Sequence, residues 1–200
     1  MSVLGELQPN KVFKYFEEIC SIPHGSRNLQ QISDYLVDFA KAHGLKYRQD
    51  EDLNVIIWKD GSKGYEASEP VILQGHMDMV AVKEADCDKD MEKEGLDLEI
   101  NGDYISAKGT SLGGDDGIAV AYTLAVLDDE EMAHPPIEAI FTVNEEIGML
   151  GAATIDVSDL KGRLFMNMDS EDEGVFTVSC AGGASVICKI PYETETVNAS

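Results

Sequence analysis

Four short segments of this chain combine one histidine with several carboxylates: Gly75-His76-Met77-Asp78, Gly113-Gly114-Asp115-Asp116-Gly117, Asn144-Glu145-Glu146 and Asn167-Met168-Asp169. Each stands where a strand-like run gives way to a loop. One imidazole and several carboxylates, delivered from successive strand ends, are donors suited to hard or borderline divalent cations held side by side. The chemistry expected of them is metal-assisted hydrolysis.

Each segment also has a plainer reading when taken alone. A histidine near a strand end is commonly a satisfied polar residue, but residues 76 and 78 of an extended strand point the same way. Asp78 is therefore placed to accept a hydrogen bond from the His76 ring and fix its tautomer. Asp115 and Asp116 before a helix read as N-cap residues. Against that, Gly113, Gly114 and Gly117 permit a tight turn in which an aspartate can bridge two ions. Glu145 and Glu146 read as a charged turn, yet adjacent side chains leaving a strand diverge, so one can bind metal while the other faces the reacting water. Asp169 after an apolar strand is singly uninformative. The pattern of all four together carries the argument.

The elements that must position these segments are legible. Val12, Phe13, Phe16, Ile19 and Cys20 fall on one helical face between Asn10 and Ser21, before Pro23. Leu29, Ile32, Tyr35, Leu36, Phe39 and Ala40 define a second helix, with Asn28 expected as its cap and Gly44 after its end. Leu53 to Lys59 and Val71 to Gln74 read as strands. Leu96 to Ile100 and Tyr104 to Ala107 read as a hairpin turning at Asn101-Gly102. A small-residue apolar helix over Gly117 to Leu127, strands over Ile137 to Val143 and Arg163 to Met168, and a short helical segment over Met149 to Ile155 complete the alternation. After Gly174, Val175 to Cys180 and Ala184 to Ile190 alternate in a hairpin-like way. The expected fold is α/β, a mostly parallel sheet covered by helices on both faces, with the acidic segments beyond the carboxyl ends of its strands.

Composition excludes several alternatives. With 15 basic and 38 acidic side chains, the net charge of -23 over 200 residues repels phosphate backbones and anionic lipid. No nucleic-acid or membrane partner is expected, and most of the acidity is a solvated surface. Cys20, Cys87, Cys180 and Cys188 show no CxxC spacing and read as reduced thiols, which suits a cytoplasmic location. Met1 to Asn10 has no basic region followed by an apolar stretch, so no export signal is expected. Asp86, Asp88 and Asp90 imitate a calcium loop, but Met91 and Asp97 stand where its glycine and glutamate belong. No G-x-S-x-G, P-loop or H-E-x-x-H pattern occurs. His24, His43 and His134 read as structural or exposed.

Gly75-His76-Met77-Asp78-Met79-Val80, Lys108 to Gly117, Thr142-Val143-Asn144-Glu145-Glu146-Ile147-Gly148 and Met168 to Asp172 together closely resemble the M20 metallopeptidases, within them the aminoacyl-histidine dipeptidase branch. The resemblance implies a zinc-peptidase-like catalytic domain and two divalent ions, zinc by default, with manganese or cobalt also suited. It implies that His76 and Asp169 bind one metal, Asp115 bridges both and Glu146 binds the second. Asp78 would orient His76, and Glu145 would be the general base. The Asp115-Asp116 peptide is expected to be cis. Asn is common in that branch where this chain has Asp116, a change that adds charge and leaves the bridging position intact.

The resemblance further implies that residues 1–180 are the first segment of the catalytic domain and 181–200 the beginning of a lid and dimerisation domain. On that expectation the chain lacks one late histidine ligand, since none follows His134. The implied function is dipeptide hydrolysis, Xaa-His dipeptides included, by a homodimer when full length. A deacylase, aminoacylase or carboxypeptidase shares the same motifs, and a non-catalytic metal-binding or interaction module is the alternative from another class.

Overall fold

The computed structural model describes residues 2–170, 174–180, 182–184 and 186–194. The chain divides into two units, Met1–Asp169 and Ser170–Ser200. In the first, helix α1 (Asn10–Cys20) buries Val12, Tyr15, Phe16, Ile19 and Cys20, the three- and four-residue spacing of one helical face. Helix α2 (Gln30–Ala42) buries Ile32, Leu36, Val37, Phe39 and Ala40 in the same way. Gly44, at φ +64°, follows its last turn, a conformation that favours glycine. Asn28 does not cap α2: Leu29 occupies the cap position, and the Asn28 amide donates instead to the Glu92 carbonyl at 2.9 Å. A tertiary partner has taken the side chain that the local pattern assigns to the helix.

The main sheet has five strands: β1 (Lys46–Gln49), β2 (Val55–Lys59), β3 (Val71–His76), β6 (Ile137–Thr142) and β7 (Leu164–Asn167), in the order β1-β2-β6-β3-β7. Strand β3 pairs in parallel with β6 and β7, while β1-β2 and β2-β6 are antiparallel. Strand β1 has no apolar run to announce it. Its residues are Lys, Tyr, Arg and Gln, and Lys46 and Arg48 lie over the Trp58 ring of β2 at 4.4 and 5.8 Å. Aliphatic stems and cations on an indole face replace the usual apolar alternation.

Strand β6 is buried along its whole length, as the centre of a sheet should be. One face, carrying Val55, Ile57, Leu73, Ile137, Ala139 and Phe141, shares a continuous core with α1, α2 and helix α3 (Gly114–Asp128). The opposite face buries Ile56, Ile72 and Ile140. Helix α4 (Leu150–Thr154) is set by Gly151, where a Cβ would meet Asn54 Oδ1 and the Val143 carbonyl. The separate hairpin β4 (Leu98–Asn101) and β5 (Tyr104–Ala107) pairs Asn101 with Tyr104. Its two-residue turn is therefore Gly102-Asp103, one residue later than the Asn-Gly pattern predicts, with Gly102 at φ +63°.

In the second unit the alternating pattern after Gly174 forms no strand among the described residues. Phe176 and Val178 are 88% and 94% exposed, so among the described residues these apolar side chains have no packed face to reward pairing. The segment 181–200 falls partly outside the described residues.

The amino-terminal segment of the first unit is latched by one carboxylate. Glu17 accepts from Ser2 Oγ at 2.6 Å, Val3 N at 2.6 Å and Leu4 N at 3.2 Å, and Leu4 is wholly buried. Partial burial alone would raise the Glu17 pKa, but these donors outweigh it and lower it below 4.5. A lowered folded-state pKa means that the latch contributes above the unfolded-state value and is lost as pH falls through the folded one. Hydrogen exchange read by mass spectrometry is expected to show residues 2–4 opening first on acidification. Glu17→Gln is expected to open them already at neutral pH; unchanged protection there would refute the latch.

Candidate metal centre

Three neighbouring parallel strands end at one edge of the sheet. Strand β3 ends on His76, β6 leads through Val143 into Asn144-Glu145-Glu146, and β7 leads through Met168 to Asp169. The start of α3 is carried to the same edge. Gly75 makes this approach possible, because a Cβ there would sit 2.9 Å from Asp116 Oδ2 and 3.0 Å from Ala119 Cβ. Gly113, at φ +67°, packs under Met79, whose sulfur would lie 2.8 Å from a Cβ. Asp115 and Asp116 have non-helical backbone angles, make no capping hydrogen bond, and are joined by a cis peptide. The N-cap reading of these two aspartates therefore fails in favour of side chains directed to other uses.

His76 is 1% exposed. Its Nδ1 lies 2.9 Å from the main-chain carbonyl of Asp78 and 3.5 Å from that residue's carboxylate. A carbonyl only accepts, so Nδ1 carries a proton, and Nε2 offers the lone pair left to a metal once its own proton is gone. Nε2 faces Asp115 Oδ1 at 3.1 Å and Glu145 Oε2 at 4.0 Å. Donor atoms of His76, Asp115 and Glu146 all lie within 4.8 Å of one another, a group able to hold a metal ion.

The imidazole and the carboxylates perturb one another strongly. Burial would depress the His76 pKa, yet the surrounding carboxylates of Asp78, Asp116 and Asp115 lift it to about 9. Asp116 is raised to about 7 by burial, with Asp169 and Asp115 adding to it against the opposing imidazole. Glu145 and Glu146 are both raised, first by burial and then by neighbouring acids. Asp78 is lowered: burial works against it, but His76, the Glu145 amide and Ser26 outweigh that penalty. Several carboxylates crowd one imidazole, and a divalent cation held between Nε2 and Asp115 would offset their charge. The donor set, one nitrogen with carboxylate oxygens, fits such an ion.

Of the residues singled out in the sequence, His76, Asp115 and Glu146 meet directly, and Glu145 stands beside them. Asp169 is exposed and outside the three-residue group, though close enough for its charge to raise Asp116 and Glu145. His24 and His134 are buried and bond carbonyls, and His43 faces Asp128. None joins a metal-binding group among the described residues. The supporting roles of three residues escaped the sequence reading, although Asn144 belongs to one of the four segments. Ser26 Oγ donates to Asp78 Oδ2 at 2.8 Å, Asn144 Oδ1 accepts from Arg27 N at 2.8 Å, and the buried Asn54 accepts from Val143 N at 3.1 Å. Lone polar residues in loops have no spacing signal that would reveal such roles.

No family profile matches the chain. It is 39% identical over 199 residues to the cytosol non-specific dipeptidase of Escherichia coli strain K12, covering all of this chain and 41% of that protein. Among solved structures, the aminoacylhistidine dipeptidase of Vibrio alginolyticus superposes with a TM-score of 0.83 at 41% identity, over 86% of this chain and 35% of that one. A tripeptidase of Staphylococcus aureus shares the fold, with a TM-score of 0.68 at 23% identity over 84% of this chain and 45% of that one. No helix among the described residues is long and apolar enough to cross a membrane. In sequence along its whole length, and in its fold, the chain is similar to these two dipeptidases, and it spans 41% and 35% of their lengths.

Proposed function

We propose that this chain is part of a dinuclear metallopeptidase that hydrolyses dipeptides, those ending in histidine among its substrates, and that it carries most of the reacting groups. The observation behind this reading is the meeting of His76, Asp115 and Glu146 at the carboxyl edge of the sheet, with Glu145 4.0 Å from His76 Nε2. His76 with Asp169 would hold one ion, Glu146 the other and Asp115 both, with zinc favoured by the mixed nitrogen and oxygen donors and manganese or cobalt also suited. Such ions, when bound, supply Lewis acidity that polarises a carbonyl and makes water a nucleophile near neutral pH.

The chain's own groups do the rest. Glu145, half-buried and with its pKa raised, is matched to taking a proton from the attacking water and returning it to the leaving amine. Asp78 accepts the Glu145 amide at 3.0 Å, so the residue beside the His76 ring also fixes where the base stands. Residues 1–180 are read as catalytic domain and 181–200 as the beginning of a lid and dimerisation domain, with the complete protein a homodimer in the cytoplasm.

The chain spans 41% of the curated dipeptidase it matches, so binding and turnover are separable. The 200-residue chain is expected to bind zinc through His76, to lose that binding on His76→Ala, and to show negligible dipeptide turnover. The complete protein is expected to hydrolyse dipeptides when loaded with metal. Metal titration and a ninhydrin assay read both. A complete, metal-loaded protein that leaves dipeptides intact would remove this reading, and turnover by the purified 200-residue chain would show that the machinery is whole without the remainder.

A further inference from the structure

The loop between α1 and α2 reaches the metal centre from outside the four acidic segments. His24 O accepts from Met79 N at 3.2 Å, and Ser26 N donates to Met79 O at 3.2 Å, so residues 24–26 run beside Met79 as a short parallel bridge. Gly25 makes the approach possible, since a Cβ there would lie 2.7 Å from Ala81 Cβ. From this anchored segment two consecutive residues reach two different parts of the centre. Ser26 Oγ donates to Asp78 Oδ2 at 2.8 Å, and Arg27 N donates to Asn144 Oδ1 at 2.8 Å.

These two bonds act on the same turn. The Asp78 side chain is fully buried, and its terminal torsion has no steep intrinsic preference. Ser26 holds Oδ2, which leaves Oδ1 facing the Glu145 amide at 3.0 Å and His76 Nδ1 at 3.5 Å. Asn144, the residue before Glu145, has the left-handed φ of +53°, and Arg27 facing it has φ +72°. The turn carrying Glu145 and Glu146 is thus gripped on one side through Asp78 and on the other through Asn144, and both grips originate in residues 26 and 27.

We propose that Ser26 and the Arg27 amide form a clamp that orients Asp78 and the Asn144-Glu145-Glu146 turn, and thereby sets how tightly His76, Asp115 and Glu146 hold a divalent ion. The clamp rests on the metal reading given above, and Ser26 is a positioning residue that touches neither metal nor substrate. Removing its hydroxyl leaves a buried carboxylate oxygen without its partner and frees Asp78 to rotate.

The test is the zinc affinity of the 200-residue chain, measured by competition with a chromophoric chelator, together with hydrogen exchange at the Glu145 amide in the metal-free chain. Ser26→Ala is expected to weaken zinc binding by about 10-fold, the lower end for loss of a supporting hydrogen bond behind a ligand, and to speed exchange at Glu145. Ser26→Thr, which keeps a hydroxyl, is expected to restore both. Asn144→Gly keeps a backbone that tolerates positive φ while deleting the acceptor, and is expected to weaken zinc binding in the same direction. Ser33→Ala is the control: its buried hydroxyl donates to Leu53 O at 2.7 Å, away from the centre, and its loss should lower the melting temperature without changing zinc affinity.

Wild-type zinc affinity in Ser26→Ala, with Glu145 exchange unchanged, overturns the clamp. A loss in Ser26→Ala that Ser26→Thr does not recover, or that Ser33→Ala reproduces, overturns it as well. If the wild-type chain itself takes up no zinc, the metal reading falls separately, and the clamp is decided by exchange at Glu145 alone: faster in Ser26→Ala supports it, unchanged refutes it.

Discussion

Glu145→Gln in the complete protein is expected to abolish dipeptide turnover, lowering kcat by roughly 10²–10⁴-fold for loss of a general base, while metal content stays nearly intact. Gln is close to isosteric with Glu but has no carboxylate to take a proton. Glu145 also stands apart from the three residues whose donor atoms cluster, at 4.0 Å from His76 Nε2. Asp115→Asn is expected to do the reverse in order of cause: metal content falls first, and activity falls with it. Asp115 Oδ1 is 3.1 Å from Nε2, and losing its charge removes part of what a dication there would neutralise. Elemental analysis and initial rates on the two variants separate the roles. Equal metal loss in both would refute the division between base and bridge.

The 200-residue chain is expected to self-associate, and increasingly so as salt is raised. Strand β7 is the edge of the main sheet, and Leu164, Phe165 and Met166 are 62%, 56% and 48% exposed. An edge strand with apolar side chains on both faces and free main-chain groups is a template for pairing. The net charge of -23 opposes close approach. Its reach shrinks from about 30 Å at 0.01 M salt to about 3 Å at 1 M, so screening removes the opposition while leaving the apolar attraction. Sedimentation across a salt series is expected to show a rising mean mass, and Phe165→Lys is expected to lower it by placing a charge on that edge. A compact monomer at every salt and protein concentration would show that β7 needs no cover.

The sequence carried a large part of the fold. Helices α1 and α2 were legible because burial on one face forces a three- and four-residue period, and β3 and β6 because strands in the middle of a sheet carry apolar runs, here Val71 to Leu73 and Ala139 to Phe141. What failed did so for identifiable reasons. Strand β1 is held by cations on Trp58 and by main-chain pairing, neither of which leaves an apolar signature. Asn28 has the right residue type for a cap but a competing partner in Glu92 O, which is distant in sequence. The alternation after Gly174 has the strand period without a packed face, and pattern alone does not make a strand among those described residues. The α/β fold itself was legible: β6, β3 and β7 pair in parallel, and β1 and β2 add two antiparallel pairings beside β6.

By itself the sequence determined the chemistry on offer: one histidine and its carboxylates, the glycines that permit a tight turn around Asp115 and Asp116, and the order in which they meet strand ends. Residue type and spacing suffice there, because donor chemistry and main-chain sterics are local. Only the tertiary structure decided which donors converge. It brought His76, Asp115 and Glu146 together, left Asp169 exposed at their margin, turned the His76 ring on the Asp78 carbonyl, and tied Ser26 and Arg27 to residues 52 and 117 positions away. Those choices depend on strand order and on how a distant loop packs, and long-range contacts of that kind leave no periodicity in the chain to be read.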